Sequence, residues 1–113
     1  MMFGMRVELC DTTWKKMKGL MFRRGLDHVL LFVNKKESRI NMAIHSFFVF
    51  FPFDAIYLDS RGTVVDAETI TPFRMNYTPS RPAQYLAEAP AGTIKHNHVR
   101  IGTRVKLPFA KTG

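Results

Sequence analysis

The stretch from Asp54 to Ile70 constrains the fold more tightly than any other part of the chain. Ala55-Ile56-Tyr57-Leu58 is apolar on both faces, as expected of a strand in the middle of a sheet. After a short gap, Val65 and Ala67 point one way and Asp66 and Glu68 the other, the period of a half-buried strand. Between the two arms, Asp59-Ser60-Arg61-Gly62 places Asp at the first turn position and Gly at the last. That is the chemistry of a type I turn closed by a glycine bulge. The segment is therefore a β-hairpin, and the remaining elements must be compatible with a sheet.

Several other segments also read as strands. Met5 to Leu9 alternates apolar and charged residues, and His28 to Val33 is a short apolar run bounded by Gly25 and by Asn34 to Ser38. Ile40 to Phe51, rich in Phe, Ile and Val, is expected to be strand, with Pro52 as its break. Gln84 to Ala89 is another candidate, and Val105 and Leu107 alternating with Arg104 and Lys106 give a last one. Two short helices fit the rest. One is Thr13 to Lys18, capped by Asp11 or Thr12 and stopped at Gly19; the other lies within Ala91 to Val99. Thr71 to Pro82 holds Pro72, Pro79 and Pro82 and reads as a loop ordered by Phe73, Met75 and Tyr77. The expected fold is mainly β (α+β), a small antiparallel β-barrel or half-barrel with one or two short helices.

The length of 113 residues suits a single domain, with residues 108–113 as a flexible tail. A hydrophobic content of 46% with 23% charged residues excludes general disorder. The single cysteine, Cys10, excludes an internal disulfide and a cysteine-rich zinc site. No apolar run approaches the roughly 18 residues that a spanning helix needs. Met1 to Leu9 lacks the pattern of a signal peptide, so the cytoplasm is the expected compartment. The net charge of +8 is unevenly spread: residues 1–39 and 91–113 each carry net +5, and residues 40–90 carry net −2. Two basic ends thus flank an acidic, aromatic middle. They could serve RNA, DNA or anionic lipid, but a solvated basic surface that keeps the chain soluble is the favoured reading, because high pI reports non-specific attraction and not a site.

Five blocks of sequence, taken in order, resemble a known family. They are Gly19-Leu20-Met21-Phe22-Arg23, then Leu31-Phe32-Val33, then Phe51 to Asp59 with Gly62 and Val64-Val65, then Tyr85 to Gly92, and last Ile101-Gly102 with Val105. Together they resemble the domain-of-unknown-function family numbered 192, also called uncharacterised protein family 0127, over about residues 5 to 107. The resemblance implies a β-rich domain and brings no catalytic activity. Two departures stand out. Ile44 to Val49 lacks the Asn-Thr pair that many members carry there, and Gly102-Thr103 replaces the usual Gly-Asp.

Phe47-Phe48-Val49-Phe50-Phe51-Pro52-Phe53 is the most unusual stretch. Successive strand side chains point to opposite faces, so one face can fill the core while the other must be covered or offered. The leading expectation is a non-enzymatic binding module with an apolar aromatic groove there. Phe48, Phe51 and Phe53 would line it, and Arg23, Arg24 and His45 would anchor a small apolar or anionic ligand, or a protein partner. A second expectation is nucleic-acid binding through Arg6, Arg104 and Lys106, should the first and last strands lie side by side. A third is a small hydrolase or metal-assisted enzyme using His45, Asp54 and Glu88, polar residues in or beside apolar strands. His96 and His98 would share a face on a strand and form a weak metal site. No phosphate-cradling glycine loop, nucleophile elbow or His-Glu-x-x-His occurs, so no cofactor is expected.

Overall fold

A computed structural model describes residues 1–10, 23–44, 49–74 and 76–108. The expected helix over Thr13 to Lys18, the residues His45, Phe47, Phe48 and Met75, and the tail beyond residue 108 lie outside the described residues. Five strands form one sheet: β1 (Val7–Cys10), β2 (Val29–Ser38), β3 (Phe53–Leu58), β4 (Val64–Ile70) and β5 (Ala83–Pro90). One short helix follows, α1 (Thr93–His96). The order across the sheet is β1-β2-β5-β3-β4. The mainly β expectation holds, and two of its details are corrected. The sheet is open, with β1 and β4 at its two ends, rather than closed into a barrel. It is also mixed, because β1 runs parallel to β2 while the other pairs are antiparallel.

The hairpin forms as the sequence predicts. Asp59 N–H donates to the Thr63 carbonyl at 2.9 Å and Gly62 N–H to the Asp59 carbonyl at 3.0 Å. Asp59 Oδ1 accepts from the Arg61 and Thr63 amides, the local bonding that makes Asp a turn-former. Gly62 is required: its φ is +85°, and a Cβ there would meet the Val105 carbonyl oxygen at 2.6 Å. That close approach binds the C-terminal segment to β4. Val105 N–H donates to Gly62, Val64 N–H to Thr103, and Gly102 N–H to Val64. The expected last strand is thus a single bridge, Thr63 to Arg104.

The expected strand over Ile40 to Phe51 is corrected at its described start, and residues 45–48 lie outside the described residues. Ser38 Oγ accepts the Asn41 N–H at 3.1 Å, and Ile40–Met42 coils into one 3-10 turn. A side-chain acceptor at a turn start competes with strand formation. Ile44 then makes one bridge to Tyr77, and the next strand begins at Phe53, just past Pro52. Conversely β2 continues through Asn34 to Ser38, where the sequence suggests a boundary, and its register shifts against β5 between Val33 and Ser38.

Both faces of the sheet are buried. On the front face Leu30, Phe32, Phe53, Ala55, Tyr57 and Leu86 pack with Met42, Val49 and Ile70, and Phe51 and Tyr77 lie against them. On the back face Val29, Leu31, Ile56, Leu58, Tyr85 and Ala87 are covered by the two ends of the chain. These ends contribute Met2, Phe3 and Met5 on one side and Ile94, Val99, Val105 and Leu107 on the other. The loop 71–82 is tied to the front by Tyr77, whose hydroxyl donates to Asp66 Oδ2 at 2.7 Å and whose ring stacks on Tyr57. Phe73, expected to order that loop from inside, is 55% exposed and meets Phe50 edge-on at 5.5 Å.

Asp54, fully buried on β3, joins α1 to the sheet. Its Oδ2 accepts the Gly92 N–H at 3.1 Å and the Ile94 N–H at 2.8 Å, and its Oδ1 accepts the Thr69 hydroxyl at 2.7 Å. Replacing it by Ala removes the acceptor that ties the Gly92 and Ile94 N–H groups and the Thr69 hydroxyl to the buried β3. Asp54→Ala should lower the free energy of urea unfolding by about 3 kcal/mol or more, with Asp54→Asn recovering part of the loss.

Candidate functional site

Strand register decides which polar groups can meet. Ala55 pairs with Glu88, and Leu30 pairs with Glu88 from the other side. Glu88 therefore shares the front face with Ala55 and Leu30, since directly opposed residues point the same way. Asp54 pairs with Ala89 and points to the back face. The expected acid pair of Asp54 and Glu88 is thus divided by the sheet, and His45, the third member, lies outside the described residues.

Glu88 is the polar residue with the least support in the interior. The residue is 6% exposed, and among the described residues its Oε1 has no hydrogen-bond partner. Its neighbours across the strands are Leu30 and Ala55, and Leu86 stands two places before it on the same strand face. Burial pushes its carboxyl up to about 8, and the positive charge of Arg23 opposes the rise. At neutral pH the group is therefore mainly a neutral acid, able both to donate and to accept. An unpaired buried polar group costs about 1–3 kcal/mol, so its presence calls for an explanation.

A polar cluster lies at the β1 end of the same face. Glu8 pairs in register with Leu30, which places it one strand beyond Leu30 from Glu88. Arg23 donates to Glu8 Oε2 at 3.2 Å. The buried His28 ring sets Nε2 at 2.9 Å from Glu8 Oε1 and Nδ1 at 2.7 Å from Asp27 Oδ1. The hydrogen bond from His28 holds the Glu8 carboxyl below its ordinary value, against a smaller effect of burial and with help from Arg23. Asp27 is lowered in the same way by His28. Burial and the Glu88 charge raise the Tyr57 hydroxyl, which donates to the Met42 carbonyl at 2.9 Å. Tyr77 is raised by burial and by its bond to Asp66.

The expected site residues distribute as follows. Phe53, buried at 1% exposure, and the half-buried Phe51 both belong to the front face, as does Arg23 through Glu8. Arg24 is exposed, and Phe48 lies outside the described residues. Arg6 and Arg104 attach to opposite ends of the sheet order, Arg6 just before β1 and Arg104 bridged to Thr63 before β4. The side-by-side first and last strands invoked for a basic stripe are therefore not formed. His96 sits on α1 and His98 follows it at φ +53°, both exposed, so the strand spacing assumed for a metal pair is absent. Among the described residues no group of three or more His, Cys, Asp or Glu could hold a metal ion. Sequence reasoning missed the Glu8–His28–Asp27 cluster. Its one sequence signal was a His at the mouth of an apolar run.

A mixed open sheet with two buried acids, Asp66 and Glu88, on its aromatic front face defines a class of small β-rich domain. The chain belongs to the family DUF192, described as "Uncharacterized ACR, COG1430", whose model matches residues 3–107. The UPF0127 protein of Thermococcus kodakarensis is 42% identical over 97 residues, covering 86% of this chain and 61% of that protein. That of Pyrococcus abyssi is 40% identical over 101 residues, covering 89% of this chain and 85% of that protein. The chain thus spans about three fifths of the length of the Thermococcus relatives. Two crystal structures share the fold. One, from Sinorhizobium meliloti and provisionally described as a transcription regulator, has a TM-score of 0.79 at 28% identity, covering 88% of this chain and 79% of that one. The other, a protein of unknown function from Novosphingobium aromaticivorans, has a TM-score of 0.78 at 19% identity, covering 91% of this chain and 75% of that one. The family is uncharacterised in function, and no helix among the described residues is long and apolar enough to cross a membrane.

The raised Glu88 carboxyl fixes the sign of a pH dependence. Its proton is held more tightly in the folded chain than in the unfolded one, whose ordinary value is 4.5. The folded state therefore loses stability as pH rises from about 4.5 to about 8. Urea unfolding measured across that window should show this decline, and Glu88→Gln should flatten it.

Proposed function

We propose that this is a non-enzymatic ligand-binding domain whose recognition centre is the front face of the sheet around Glu88. The observation that carries the reading is the Glu88 Oε1, which has no hydrogen-bond partner among the described residues and lies beside an apolar cluster. Sites for small molecules combine an apolar lining with a few convergent polar groups, often with shifted pKa values. Here Phe51 and Phe53 contribute to the lining, Glu88 is the inner polar group, and Arg23 lies at the edge with Glu8. The ligand class is a small, mostly apolar molecule with one head group that exchanges hydrogen bonds with a neutral carboxyl. Support for binding over acid–base chemistry comes from Asp54, whose carboxylate is occupied by three donors on the opposite face.

Octanamide and octanoate are suitable probes, alike in tail and different in head. In an NMR titration octanamide should shift the amides of Leu30, Ala55 and Glu88. Glu88→Leu should weaken that binding about tenfold, the loss of one good hydrogen bond. Absence of shifts at these amides with both probes, or equal binding by Glu88→Leu, would overturn the proposal.

A further inference from the structure

The layer that covers the back face carries a feature the front-face site does not use. Arg100 to Thr103 is a tight turn: Thr103 N–H donates to the Arg100 carbonyl at 2.9 Å, and Arg100 N–H donates to Thr103 Oγ1 at 2.9 Å. Gly102 takes the left-handed third position at φ +96°, as a type II turn demands. Two further backbone bonds, Val64 N–H to Thr103 and Gly102 N–H to Val64, both 2.8 Å, fix the turn to β4. Its tip is Ile101, 61% exposed. A β-branched aliphatic side chain is thus held out to solvent on a backbone that has already lost its freedom.

The segment that carries Ile101 is cationic. Lys95, Arg100, Arg104 and Lys106 are exposed, and among the described residues none is in an ion pair. Residues 91–108 contain no Asp or Glu. Cations around an aliphatic tip match a surface that is anionic at its headgroups and apolar beneath them. Nucleic acid fits less well. Residues 91–108 contain no Phe, Tyr or Trp to stack on bases, and α1, at four residues, is too short to read a groove. An aliphatic tip also gains nothing from phosphates alone.

We propose that the Arg100–Thr103 turn is a foot that docks this domain peripherally on anionic lipid, with Ile101 entering the headgroup layer and Lys95, Arg100, Arg104 and Lys106 holding the phosphates. The proposal is independent of the Glu88 site. Co-sedimentation with phosphatidylcholine vesicles, with and without phosphatidylglycerol, tests it. Binding is expected only with phosphatidylglycerol. Arg100→Gln and Arg104→Gln should each weaken it about fivefold. Ile101→Ser, on an exposed side chain, should weaken it roughly fivefold to tenfold while leaving retention on duplex DNA unchanged. Failure to bind phosphatidylglycerol vesicles would overturn the proposal. So would binding that Ile101→Ser leaves intact, because the patch would then be a general polyanion surface open to nucleic acid.

Discussion

The register of β3 against β5 is the constraint on which the rest depends. With Ala55 opposite Glu88 and Asp54 opposite Ala89, two carboxyls one row apart are sent to opposite faces. A slip of one residue would bring both to the same face. On the back face Asp54 meets the donors that begin α1 and becomes a joint of the fold. On the front face Glu88 meets Leu30, Ala55 and Leu86 and becomes an acid with one oxygen unanswered among the described residues. The same functional group is structural in one place and available in the other, and only the sheet decides which.

A chain of 113 residues that buries both faces of a five-stranded sheet must find two coverings. The back is covered by the chain ends. The close contact of Gly62 with Val105 holds the C-terminal end against β4 and fixes the Arg100–Thr103 turn in space. The front is covered in part by Met42, Val49, Phe51 and Tyr77, with Tyr57 bonding to the Met42 carbonyl through the core. The two faces therefore differ in chemistry. One carries carboxylates, an imidazole and aromatic rings; the other shows solvent a set of cations around an aliphatic tip.

Local chemistry made part of this legible in the sequence. The hairpin from Phe53 to Ile70 was readable because its signals, Asp59 and Gly62 in the turn and alternation in the arms, all lie within the element. Glu88 was visible as a polar residue inside an apolar strand. Its separation from Asp54 was not, because parity across paired strands depends on a register that no local pattern reports. The parallel pairing of β1 with β2 was hidden for a related reason: it brings Glu8 to His28 across twenty residues of chain. The start of the expected strand at Ile40 misled because Ser38 Oγ accepts the Asn41 N–H and the chain turns there, a bond that strand preference does not report.

The account rests on Glu88 being a neutral acid in an apolar setting. Carbon-13 NMR of the side-chain carboxyls, followed through a pH titration, tests this without any ligand. The Glu88 carboxyl should titrate near 8, with Glu8 in the same spectra titrating below 4.5. A Glu88 carboxyl titrating near 4.5, as an exposed glutamate does, would contradict the account.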